Sequence, residues 1–144
     1  MRKILFLLFL LLTACSTPRS PNADAAAINV QLGLAYLERG NTARAKNKLL
    51  LALAQNPTGD LTQDAMGYFF EKTDDIKNAE KYYAQAITTH SGTAYNNYGA
   101  FLYRQQKYHD ALKYFTLAIQ DPDYLHTDLA RKNAALAKEK IEPH

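Results

Sequence analysis

The chain has 144 residues, room for one domain, and 47% of them are hydrophobic, which excludes a disordered chain or a string of domains. Lys and Arg number 17 against 14 Asp and Glu, a formal net charge of +3. The two signs alternate along the chain as on solvated helix faces, so the clustered basic stripe that displaces counterions from nucleic acid is missing, and no nucleic-acid partner is expected.

The first segment differs in kind from the rest. Arg2 and Lys3 precede an unbroken apolar run from Ile4 to Leu12, and Thr13, Ala14 and Cys15 follow. Nine apolar residues fall short of the roughly 20 that a membrane-spanning helix needs. A basic start, a short apolar stretch and a small residue before a cut describe a secretory signal, here residues 1–14. Leu12-Thr13-Ala14-Cys15 resembles the lipobox of bacterial lipoproteins, and this resemblance implies cleavage after Ala14 and a covalent lipid on Cys15, with no other cofactor. Ser16, where an aspartate would mark retention at the inner membrane, implies the outer membrane of a Gram-negative cell, periplasmic face. Loss of Met1 to Ala14 removes two of the 17 basic residues and no acidic one, so the remaining balance is about +1. Cys15 is the sole cysteine, and the fold is expected to stand without disulfides. Residues 15–25 read as a lipidated tether, since Ser16 to Asp24 offers almost nothing apolar to bury.

One spacing then repeats. Gly33, Tyr36, Ala45, Leu49 and Ala52 recur 34 residues on as Gly67, Phe70, Ala79, Tyr83 and Ala86, and 32 residues further as Gly99, Leu102, Ala111, Phe115 and Ala118. A period near 34 is that of a helix-turn-helix unit that buries its apolar face only by stacking on its neighbours. The spacing predicts repeats at 26–59, 60–91 and 92–125, each of two helices, and a capping helix over 126–142 with its apolar stripe on Ala130, Ala134, Ala137 and Ile141. Asn41 and Asp74 or Asp75 read as N-caps, and Pro57, Gly59 and Pro122 as stops. No stretch alternates with period two, so the fold class is all-α, a solenoid of about three and a half repeats. Gly33, Gly67 and Gly99 are expected where the first helix of each unit meets the second, with Ala45, Ala79 and Ala111 facing back.

Glycine at the eighth position, a large residue at the eleventh, alanines at the twentieth and twenty-seventh and Pro57 near the thirty-second resemble the tetratricopeptide repeat (TPR) pattern. The usual fourth-position Trp is replaced by Asn29, Gln63 and Tyr95. Two longer strings, Gln31 to Asn41 and Asn96-Asn97-Tyr98-Gly99-Ala100-Phe101-Leu102-Tyr103, resemble the first and third repeats of the type IV pilus biogenesis lipoproteins of the PilF/PilW family. The resemblance implies a pilotin: a lipid-anchored adaptor that helps the secretin pore of the pilus machine reach the outer membrane and multimerise. Such proteins typically carry about twice as many repeats, so the chain is expected to be a short relative or a truncated product.

In a TPR stack the first helices line a concave groove. Counting from each glycine, the resemblance puts Val30, Leu34, Leu37 and Glu38, then Asp64, Tyr68, Glu71 and Lys72, then Asn96, Tyr103 and Arg104 on it. Leu34, Tyr68, Lys72, Asn96, Tyr103 and Arg104 are the candidate contacts for a polypeptide partner. Asn96 and Asn97 also read as caps of the fifth helix. No nucleophile elbow, phosphate-cradling loop or carboxylate cluster occurs, and the histidines, at 90, 109, 126 and 144, lack the three- or four-residue spacing of helical metal ligands. Binding rather than catalysis is therefore expected, with neither metal nor small-molecule substrate. The expected partner is the secretin or another pilus component. A general envelope scaffold for cell-wall or outer-membrane assembly is the alternative.

Overall fold

The computed structural model describes residues 21–142. Among them are seven α-helices and no strand: α1 Pro21–Glu38, α2 Thr42–Gln55, α3 Asp60–Lys72, α4 Ile76–Ala86, α5 Gly92–Arg104, α6 Tyr108–Gln120 and α7 Thr127–Ile141. The helices pair as α1 with α2, α3 with α4 and α5 with α6, and α7 lies along α6, giving the all-α stack the period requires. The signal segment and Cys15 lie outside the described residues. Helix α1 starts at Pro21, so residues 21–25, expected in the tether, are helical. Proline suits the first helical position, Asp24 the positive end of the helix dipole, and Ala25 to Ala27 have high helix propensity.

The three turns within the repeats share one geometry. Gly40, Asp74 and Gln106, which follow the repeat glycines by seven residues, take left-handed backbone angles of φ 73°, 62° and 61°. In each turn the next residue, Asn41, Asp75 or Lys107, donates its N–H to the carbonyl of Tyr36, Phe70 or Leu102 at 2.9 Å, closing the first helix in a Schellman motif. That same residue begins the second helix. Asn41 Oδ1 accepts from the Arg44 N–H at 3.1 Å, and Asp75 Oδ1 from the Asn78 N–H at 3.2 Å. Lys107 has no side-chain acceptor to offer, and the third turn lacks this cap.

The glycines are sites of close approach. A Cβ on Gly33 would stand 2.7 Å from Leu49 Cγ, on Gly67 2.9 Å from Tyr83 Cγ, and on Gly99 2.8 Å from Phe115 Cδ1. Ala45, Ala79 and Ala111 are fully buried beside them. The core follows the stack: Val30, Leu49, Met66 and Phe69 join repeats one and two, and Tyr83, Phe101, Leu102 and Phe115 join repeats two and three. Ala130, Ala134 and Ala137, all buried, let α7 lie close against the third repeat. Ser91 rather than either asparagine caps α5, accepting from the Ala94 N–H at 3.2 Å. Asn96 and Asn97 lie inside that helix.

Candidate protein-binding groove

The first helices of the repeats lie side by side and bound three hollows that share residues. The central one, of about 310 Å³, is walled by Leu34 of α1, Asp64 and Tyr68 of α3, and Asn97, Ala100 and Arg104 of α5. Tyr68 also lines a hollow of about 440 Å³ with Leu37, Glu38 and Lys72. Ala100 and Arg104 also line one of about 150 Å³ with Tyr103, Asn133 and Leu136. Shared walls, Tyr68 on one side and Ala100 with Arg104 on the other, set these hollows in a row from the first repeat to α7.

The surface of this row is aromatic and charged. The Lys72 ammonium lies 5.3 Å from the centre of the Tyr68 ring, and Tyr103 meets Tyr108 edge to face at 5.2 Å. Arg104 spans from α5 to α3, with Nε donating to Glu71 Oε1 at 2.5 Å and Nη2 to Oε2 at 2.8 Å. The buried Tyr83 hydroxyl donates to the same carboxylate at 3.1 Å. The Glu71 hydrogen bond holds the Arg104 pKa above its usual value, while burial and then Glu71 push the Tyr83 phenol far up. Beneath them Asn97 Nδ2 donates to Asp64 Oδ2 at 2.7 Å. Burial raises the Asp64 pKa to about 7; the Asn97 hydrogen bond opposes that and Asp60 adds to it.

Leu34, Tyr68, Lys72, Tyr103 and Arg104 thus stand in the groove. Asn96 does not: it is 5% exposed, and its Oδ1 accepts from Asn133 Nδ2 at 3.0 Å, beneath α7. The cause applies to every repeat. The fifth positions, Val30, Asp64 and Asn96, are all buried where the following first helix covers that side of each helix, and of the three only Asp64 reaches the wall of the central hollow. The groove instead follows Leu34, Tyr68 and Ala100 and, one turn on, Glu38, Lys72 and Arg104, with Asn97 a turn before Ala100. Asn97 and Ala100 were legible in principle, being three residues apart on the helical face that Arg104 ends. Among the described residues no group of three or more His, Cys, Asp or Glu could hold a metal ion.

Paired antiparallel helices of this period, stacked with an inner groove, define a tetratricopeptide-repeat protein. The family model described as Tetratricopeptide repeat matches residues 63–89. The type IV pilus assembly protein PilF of Pseudomonas aeruginosa is 36% identical over 131 residues, covering 84% of this chain and 52% of that protein. An uncharacterized protein of Haemophilus influenzae is 34% identical over 104 residues, covering 71% and 58%. The solved structure of P. aeruginosa PilF superposes with a TM-score of 0.77 at 31% identity, over 85% of this chain and 56% of that one. PilW, a type IV pilus biogenesis factor, superposes at 0.73 with 24% identity over 81% and 54%, and shares the fold. The chain is a PilF/PilW-like TPR protein, and it spans about half the length of the curated relatives it matches.

Proposed function

We propose that this chain is an adaptor of type IV pilus biogenesis, lipid-anchored at Cys15 on the periplasmic face of the outer membrane, whose groove holds a segment of the pilus secretin or of another pilus component. The observation that carries the reading is the row of hollows from Leu37 through Tyr68 and Arg104 to Leu136, edged by half-buried aromatic and exposed charged groups that suit an extended or helical segment. Likeness to PilF supports the pilus as its setting. The mechanism is tethering: an anchored adaptor keeps its partner at high local concentration near the membrane and needs no chemistry. A Cys15→Ala chain should leave the membrane fraction, and secretin multimers should fall with it. Mild-detergent extraction of the anchored protein should bring down secretin or another pilus component. Normal secretin assembly by the unanchored variant, or copurification of cell-wall enzymes alone, overturns the reading.

A further inference from the structure

The first repeat carries an outward face that the groove leaves unused. Of the eight large apolar side chains exposed among the described residues, four belong to this repeat: Ile28, Leu32, Leu50 and Leu51. Helix α2 adds Arg44, Lys46 and Lys48 and has no acidic residue. At 3.6 residues per turn, Ala43, Asn47, Leu50 and Ala54 form one exposed stripe, opposite the buried Ala45, Leu49 and Ala52. Arg44, Lys48 and Leu51 run along one side of it and Lys46 along the other. The Arg44 guanidinium lies 5.6 Å from the centre of the Tyr36 ring, which borders the same face.

A small and apolar stripe, broken only by Asn47 and flanked by Arg44 and Lys48 on one side and Lys46 on the other, suits a helix lying in the plane of a bilayer surface, its leucines toward the acyl chains and its lysine stems reaching out to headgroup phosphates. Position argues for the same occupant. Helices α1 and α2 run antiparallel, Asn29 Nδ2 donating to Gln55 Oε1 at 2.9 Å and Leu49 meeting Gly33, so Leu50 to Ala54 lie beside the middle of α1 and the C-terminal end of α2 is the one nearer Pro21. Pro21 follows Cys15 by six residues, a reach of at most about 20 Å. We propose that the outward face of α2, from Ala43 to Ala54, docks on the anionic bilayer to which the chain is anchored. This rests on the lipid at Cys15. The anchor makes the contact intramolecular, so a weak face suffices. Docking through a second helix turns the groove, which the first helices line, away from the membrane and toward a partner.

The test uses the acylated protein in vesicles of phosphatidylglycerol and phosphatidylethanolamine, with a polarity-sensitive fluorophore on Ala54→Cys or, two repeats on, on Gln120→Cys. Flotation reads the anchor and fluorescence reads the face. The Ala54 label should shift to the blue and be quenched by lipid-borne nitroxides, while the Gln120 label stays in water. Replacing Arg44, Lys46 and Lys48 together by glutamine should weaken docking by on the order of 100-fold, and phosphatidylcholine vesicles should do likewise. A protein that floats with its Ala54 label still in water overturns the docking and leaves the anchor standing. One that fails to float removes both. A label that shifts only when secretin is added gives the face to a protein partner and overturns the proposal as well.

Discussion

Asp64 offers the sharpest test of how the repeats are joined. Its carboxylate is 7% exposed between α3 and α5; Oδ2 accepts from Asn97, while Oδ1 is buried with no hydrogen-bond partner among the described residues. Burial lifts its pKa from 3.8 to about 7, so the folded chain holds this proton more tightly than the unfolded chain does. The neutral form is the one that fits, and the stability it brings is complete below about pH 4 and is lost as pH rises through 7. Between those limits one extra proton bound by the folded state gives a slope of about 1.4 kcal/mol per pH unit, for a total of roughly 4 kcal/mol. Asp64→Asn keeps an acceptor for Asn97 and cannot ionise. Urea unfolding from pH 5 to pH 8 should show the parent losing up to about 3 kcal/mol relative to the variant across that range. Parallel stability curves for the two proteins, or a variant less stable at pH 8, would refute the account of a charge held against its burial.

The third turn departs from the other two in ways that can be repaired. Gln106→Gly relieves a left-handed residue with a side chain and should stabilise by about 1 kcal/mol, read as a higher urea midpoint at unchanged slope; Lys107→Asp supplies the missing cap but gives up the exposed Lys107–Glu80 ion pair at 2.9 Å, so its gain should be smaller by the same assay. Gly99→Ala sets a methyl 2.8 Å from the Phe115 ring and should cost about 1–3 kcal/mol by the same assay, whereas Gly40→Ala, with nothing within 4 Å, should act only through its backbone angle. Tyr68→Ala should weaken partner binding about 10-fold or more by calorimetry. Arg104→Ala should lower both binding and thermal stability, because it also unpairs Glu71.

The fold was legible because its determinants are local and recur. A glycine every 32 to 34 residues faces Leu49, Tyr83 or Phe115, and a left-handed residue follows it by seven, with Asn41 and Asp75 capping the next helix in the first two repeats, so each repeat states nearly the same geometry again. The start of α1 was misread for the opposite reason: Pro21 to Ala25 offers little to bury, yet its end preferences suffice to extend a helix already nucleated by packing at Ala26 and Val30. The groove was half legible. Periodicity within one helix separates its apolar side from its polar side, but it cannot say whether the fifth position or its neighbour passes under the next repeat. That depends on the rotation between repeats, which put Asn96 under α7 and Asn97 on the groove.

The contacts that fix this rotation lie on the groove itself. Asp64 with Asn97 and Glu71 with Arg104 each join residues 33 apart, one repeat to the next, and of these side chains Asp64, Asn97 and Arg104 also line the central hollow. Binding and stacking therefore share atoms there. A partner that engages Arg104 competes for a guanidinium already committed to Glu71, and a shift at that ion pair reaches Tyr83 and so the contact with Gly67. Tyr68, half-buried and outside these ties, is where binding can be altered with least disturbance to the stack. The groove of this protein is the exposed edge of its inter-repeat seam, where the same few polar side chains both join the repeats and face the central hollow.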